Sequence, residues 1–215
     1  MNAIVFLKTA YMRNILTGCF LVLTLIPALA GGDQPIEALQ RGFEEGLRIL
    51  KDPEFNHADR KDAQQQKLRI IFEQLFDSRE FSRHVLAAHW KDFAPLQREA
   101  FIRLFAEFLG RFYMGQLQER YKDERLIYLS QKMISARRAL VRVKVVWKAQ
   151  EIPVDLRMIK RKELWKVYDI QVLGISAVRI YRAQFKSLLS KETPAQVIER
   201  LKIKVEQLEK TDQKR

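Results

Sequence analysis

The sequence predicts an α+β fold: one domain in which a four-stranded antiparallel meander packs against helices from both ends of the chain. Three observations predict it. Apolar residues recur at three- and four-residue steps up to about residue 113. From about Leu126 to Val167 the period changes to two. A helical spacing then returns from Ile175 to Leu208. Helices grouped at the two ends of a meander argue for one layered domain rather than an alternating α/β sheet.

The chain has 215 residues and opens on a stretch that reads as a secretory leader. Lys8 and Arg13 supply a positive start, Ile15 to Ala28 an apolar run, and Ala28-Leu29-Ala30 a small-x-small cleavage signal. Met12 followed by Arg13 offers a second, more compact start. Lipoprotein processing at Leu16-Thr17-Gly18-Cys19 is the rival reading, but the apolar run follows Cys19 when it should precede it. We therefore expect residues 1–30 to be removed, 31–210 to form the folded domain, 211–215 to fray, and the mature protein to work in the periplasm. Removal takes away Cys19, the sole cysteine. Disulfides, thiol nucleophiles and thiolate metal sites are then excluded. The chain carries +13, and the leader holds two of those charges and no acid, which leaves +11. Such a balance speaks of anionic partners and little of fold. Anionic head groups or an acidic protein face fit an exported chain better than nucleic acid does.

Pro35 suits a first helical position, where a missing N–H costs nothing. Ile36, Leu39, Phe43, Leu47 and Leu50 then form one stripe that Asp52-Pro53 ends. A second helix is predicted from about Asp59 to Phe76, and a third from Phe81 to Trp90 with Phe81, Val85, Leu86 and His89 inward. After Pro95 a long helix carries Phe101, Phe105, Phe108 and Phe112, which at about 100° per residue fall within about 60° of one another. This ridge of rings either faces the core or lines an apolar cavity, and the sequence leaves both readings open.

The strands follow from alternation. Val141, Val143, Val145 and Trp147 alternate with Arg142 and Lys144. Ile152, Val154, Leu156 and Met158 alternate with Pro153, Asp155 and Arg157. Trp165 and Val167 alternate with Lys166 and Tyr168. Leu126 to Met133 is a weaker fourth strand. Short breaks between them predict tight turns and a meander with one apolar and one basic face. Ile175 to Ser190 reads as a helix. Thr193 and Pro194 read as the cap and first residue of the last one, with Val197, Leu201, Val205 and Leu208 inward.

Catalytic chemistry is scarce. His84 and His89 are five apart and point away from each other on a helix, so they do not form an i, i+4 metal pair. No Gly-x-Ser-x-Gly elbow and no glycine-rich phosphate loop is present. Asp169 stands out as an acid in an apolar strand. It reads as a salt-bridge or backbone-bonded group near the strand-to-helix junction, with Arg179 or Arg182 as partner, and less well as a general base. No cofactor and no metal are expected.

Val85-Leu86-Ala87-Ala88-His89-Trp90, the helix from Gln97 to Tyr113 with Phe101 and Phe105, and then Trp165-Lys166-Val167-Tyr168-Asp169-Ile170, Gly174-Ile175-Ser176 and Tyr181-Arg182-Ala183-Gln184-Phe185 together resemble the MlaC family of toluene-tolerance proteins, including its hopanoid-associated branch. The resemblance runs from about Pro35 to Leu201. Ile180 departs from it, since the family tends to have asparagine before Tyr181-Arg182. The segment before Trp90 also lacks the family's glycine.

The resemblance implies a monomeric, non-enzymatic periplasmic carrier of phospholipid or a hopanoid-like lipid. It further implies shuttling between an outer-membrane lipoprotein complex and an inner-membrane ABC transporter with an MCE-domain subunit. The acyl chains would lie between sheet and helices. The expected lining is Phe105, Phe108, Phe112 and Tyr113 from the long helix, Val145, Trp147, Val154, Leu156 and Val167 from the sheet, and Tyr181 from the helix that follows. Two other classes stay open: an adaptor with a filled core, and a lipid hydrolase with a serine beside His84 or His89.

Overall fold

The structure is a computed structural model that describes residues 34–122, 124–147 and 150–212. The expected leader and the last three residues lie outside the described residues. Among the described residues, six α-helices and one antiparallel sheet make up the fold. Helix α1 spans Pro35–Lys51, α2 Lys61–Leu75, α3 Ser78–Leu86 and α4 Pro95–Arg120. Strands β1 (Arg125–Ser135), β2 (Arg138–Trp147), β3 (Gln150–Arg161), β4 (Leu164–Val172) and β5 (Ile175–Ser176) follow, then α5 (Ala177–Leu189) and α6 (Pro194–Asp212). Among the described residues no helix is long and apolar enough to cross a membrane.

The helices start where local chemistry allows. Pro35, Pro95 and Pro194 each open a helix, at the position where their lost donor is not needed. The Glu37 carboxylate reaches back to the Gln34 N–H at 3.1 Å, and the Gln97 side chain reaches the Ala94 N–H at 2.9 Å. Thr193 and Gln196 cap α6 reciprocally. The third helix is shorter than the sequence spacing suggests. It stops at Leu86, and Ala87, at φ 49°, turns the chain into a 3-10 segment that ends at Asp92. Phe93, which the periodicity leaves out, is buried beneath it against Phe101.

The sheet is a meander in the order β1-β2-β3-β4-β5. Four strands were expected. The fifth is two residues long, made where Leu173 (φ 52°) and Gly174 (φ 78°) fold Ile175 and Ser176 back on Val172 and Gln171. Register sets the faces: Val143 lies opposite Val154, Val145 opposite Ile152, and Leu156 opposite Ile170. These apolar positions face the helices. The other face is closed by cross-strand pairs, Arg142 with Asp155 at 3.6 Å and Lys144 with Glu151 at 2.6 Å.

A charged knot anchors α3 to the far end of the sheet. Glu80 is almost fully buried, yet its carboxylate receives Arg83 at 2.8 Å, Arg138 at 2.9 Å and Arg161 at 3.0 Å. Arg161 also meets Asp77 at 2.6 Å. Burial alone would raise the Glu80 pKa, but Arg83 foremost, with Arg138 and the neighbouring His84, overcomes it and holds the group at about 2.

Candidate functional site

The feature that separates this fold from a filled sandwich is an apolar cavity of about 490 Å³ between α1, α4 and the inner face of the sheet. Helix α1 contributes Phe43, Gly46, Leu47 and Leu50. Helix α4 contributes Tyr113, Gln116, Leu117 and Arg120, one stripe at three- and four-residue steps. The sheet closes it with Leu126, Val143, Val145, Val154, Leu156 and Ile170. A smaller space of about 120 Å³ adjoins it beneath α2 and shares Phe43, Gly46, Leu117, Leu156 and Ile170. An apolar void of about 150 Å³ is enough to take in a benzene ring. The larger space here falls within the roughly 300–1,000 Å³ range of ligand pockets.

Two glycines make the room. A β-carbon on Gly42 would stand 2.3 Å from Leu75 Cδ1, so α1 and α2 touch there backbone to side chain. A β-carbon on Gly46, one turn on, would meet nothing within 4 Å. Gly46 therefore leaves its share of the wall empty. Charged and amide groups gather where α4 ends, with Gln116, Arg120 and Glu124 beside Tyr121.

The residues expected to line such a space divide. Tyr113, Val145, Val154 and Leu156 border the larger cavity, and Leu156 and Val167 border the smaller. Phe105, Phe108, Phe112, Trp147 and Tyr181 border neither. The reason is the ring ridge. Phe105 is 0% exposed and is enclosed by Phe81, Phe101, Tyr181 and Phe185 at ring distances of 5.1 to 5.6 Å. Phe108 stacks between Phe105 and Phe112. Phe101 and Phe105 pack on Phe185 and Tyr181 of α5 and are core, Phe112 at the end of the ridge is 36% exposed, and the neighbouring stripe of α4 faces the cavity. Tyr181 spends its hydroxyl on Tyr113 at 3.2 Å. Trp147 sits at the open end of β2, 39% exposed.

Sequence reasoning assigned Phe43, Leu47 and Leu50 to an ordinary core stripe and passed over Gly46 and Leu117. The available signal was Gly42 and Gly46, a four-residue pair on one face of an otherwise well-formed helix.

A second, polar pocket of about 200 Å³ lies where β4 meets α5 and is lined by His84, Arg157, Asp169, Ser176, Arg179 and Arg182, among others. It brings a serine, a histidine and an aspartate together without a relay. The Ser176 hydroxyl donates to Asp169 at 2.8 Å and accepts from the Arg179 N–H at 3.1 Å as the cap of α5. Asp169 also accepts from the Val178 N–H at 3.1 Å. His84 Nε2 pairs instead with Glu80 at 3.2 Å. Asp169 is thus a backbone-bonded junction group. Its nearest arginine is Arg157, at 3.9 Å, in place of the expected Arg179 or Arg182. His89 pairs with Asp92 at 2.9 Å. Among the described residues no His, Cys, Asp or Glu cluster has the makings of a metal site.

Comparison with known proteins gives three results. Residues 40–203 match the family described as MlaC protein. No significant match exists among curated protein sequences. Among solved structures, the chain is similar to a phospholipid-binding protein from Ralstonia solanacearum that was determined in complex with a phospholipid. The two share 21% identity over 82% of this chain and 99% of that one, with a TM-score of 0.69.

Proposed function

For a chain that belongs to the MlaC family, we propose the work of a periplasmic phospholipid carrier. The acyl chains lie in the joined apolar cavities, and the head group stays at the polar rim formed by Gln116, Arg120 and Glu124. The single observation that carries this reading is the 490 Å³ space with an almost wholly apolar wall. The Ralstonia protein of the same fold, whose structure includes a phospholipid, supports it. Each methylene removed from water is worth about 0.8 kcal/mol, so roughly ten buried methylenes supply about 8 kcal/mol. That is the scale of a micromolar Kd before ordering costs. No specific chemistry is required of the wall, only unfilled volume.

The cavity counts against an adaptor with a filled core. The bonding of Ser176, Asp169 and His84 counts against a hydrolase. In the carrier reading, lipid passes between an outer-membrane lipoprotein complex and an inner-membrane ABC transporter with an MCE-domain subunit. A hopanoid-like lipid is the variant cargo. The test is uptake of fluorescent phospholipid from labelled vesicles by the purified chain and by Gly46→Phe, whose ring enters the empty part of the wall. Uptake by the parent and its loss in Gly46→Phe, with folding intact, is the expected result. Equal uptake by both would overturn the assignment of the cavity, and no uptake by either would overturn the carrier.

A further inference from the structure

Among the described residues two buried side-chain oxygens have no hydrogen-bond partner, Ser82 Oγ and Tyr121 Oη. Buried polar groups are nearly always paired, and each exception calls for an explanation. Ser82 lies inside α3, where a hydroxyl can turn onto the carbonyl one helical turn back. Tyr121 has no such local remedy, because a phenol oxygen stands too far from its own backbone. It follows the last residue of α4, with extended backbone at φ −60° and ψ 125°. Its N–H is already spent on the Leu117 carbonyl at 2.9 Å. The hydroxyl therefore needs a partner from outside the chain.

The surroundings of Tyr121 say which kind of partner. The residue borders the 490 Å³ cavity, whose wall also carries Leu47, Leu50, Leu126 and Val145. Arg120, its neighbour in the chain, and Glu124, three residues on, border the same space. Lys51 Nζ stands 5.9 Å from the centre of the Tyr121 ring and brings a further charge to this end. Tyr121 thus sits where apolar lining gives way to charge. A diacyl glycerolipid changes character in the same order: hydrocarbon, then ester carbonyls, then a charged head group. An ester carbonyl accepts a hydrogen bond and has none to donate, which suits a phenol O–H.

We propose that Tyr121 reads the linkage of the cargo. Its hydroxyl donates to an acyl ester carbonyl of the bound lipid, so the site takes ester-linked glycerolipids in preference to hopanoid-like or other ester-free ones. The ring turns about its Cα–Cβ bond to present the hydroxyl, and Tyr121 lies beyond α4, outside the helical stack. The bond also sets how deep the lipid sits. The inference rests on the carrier reading and deepens it, naming the one chemical feature recognised by a wall that otherwise selects only for hydrocarbon.

The probes are dioleoyl phosphatidylcholine and its dioleyl ether, which keeps the head group and chains and lacks both carbonyls. Each is offered in vesicles to the purified chain and to Tyr121→Phe, in competition with the fluorescent phospholipid. The parent should hold the ester lipid about five-fold more tightly than the ether, the scale of one neutral hydrogen bond. Tyr121→Phe should hold the two alike, at the parent's affinity for the ether. The variant keeps its fold, since it loses only a hydroxyl that has no partner within the chain. Equal affinity of the parent for the two lipids, as expected if water serves the hydroxyl, would overturn the inference and leave the carrier reading standing. So would an ester preference that survives in Tyr121→Phe. Uptake of neither lipid by the parent would overturn the carrier reading, and this inference with it.

Discussion

At the scale of single residues, absence of a side chain matters as much as presence. Gly46 sits in a helix interior, where glycine costs about 0.8–1 kcal/mol relative to alanine. Its site is open, so Gly46→Ala should raise stability by about that amount in a denaturant titration while shrinking the space left for lipid. A gain in stability joined to a fall in lipid content would mark the position as held open for cargo. Glu80 makes the opposite kind of contribution. Its folded pKa lies at about 2, below its ordinary 4.5. The stability it gives is therefore complete above pH 4.5 and is lost as pH falls from there toward 2, by on the order of 3 kcal/mol. Acid titration of the parent against Glu80→Gln checks this. The parent should lose stability across that window, and the variant should start lower and fall less.

At the scale of elements, helix α4 shows what periodicity can and cannot say. The spacing of Phe101, Phe105, Phe108 and Phe112 located the helix and its apolar face. It left open whether that face met core or cavity, because the answer depends on Tyr181 and Phe185 of α5, more than seventy residues away. The strands were legible for the same reason in reverse. Alternation reports burial on one face, and each of the three strong strands lies where its Val, Ile and Trp pattern put it, longer by one to three residues at most ends. The two-residue β5 and the 3-10 segment after Leu86 left no periodic trace, since they rest on one or two residues at positive φ: Leu173 and Gly174 for the first, Ala87 for the second. Phe105→Ala should cost about 3–5 kcal/mol, as for a fully enclosed ring. Whatever remains folded should still take up lipid, since Phe105 does not border the cavity. Loss of lipid at unchanged stability would return the ridge to the lining.

At the scale of the whole molecule, the sheet and α1 act as two walls kept apart. Core rings on one side, through α5, and the Glu80 knot at one end fix the frame. The Gly42–Leu75 contact draws α1 onto α2, and Gly46 leaves the gap beyond it. On the carrier proposal, cargo stabilises the fold by mass action, since lipid would bind the native state alone. Stripping lipid with organic solvent should lower Tm, and adding phospholipid back should restore it. The central claim is that this interior holds hydrocarbon. Native mass spectrometry of the chain purified without detergent tests it most directly. The account predicts a species heavier than the polypeptide by one phospholipid, reduced to the bare mass in Gly46→Phe. A parent chain that flies only at the bare mass, and gains none after incubation with phospholipid vesicles, would contradict it.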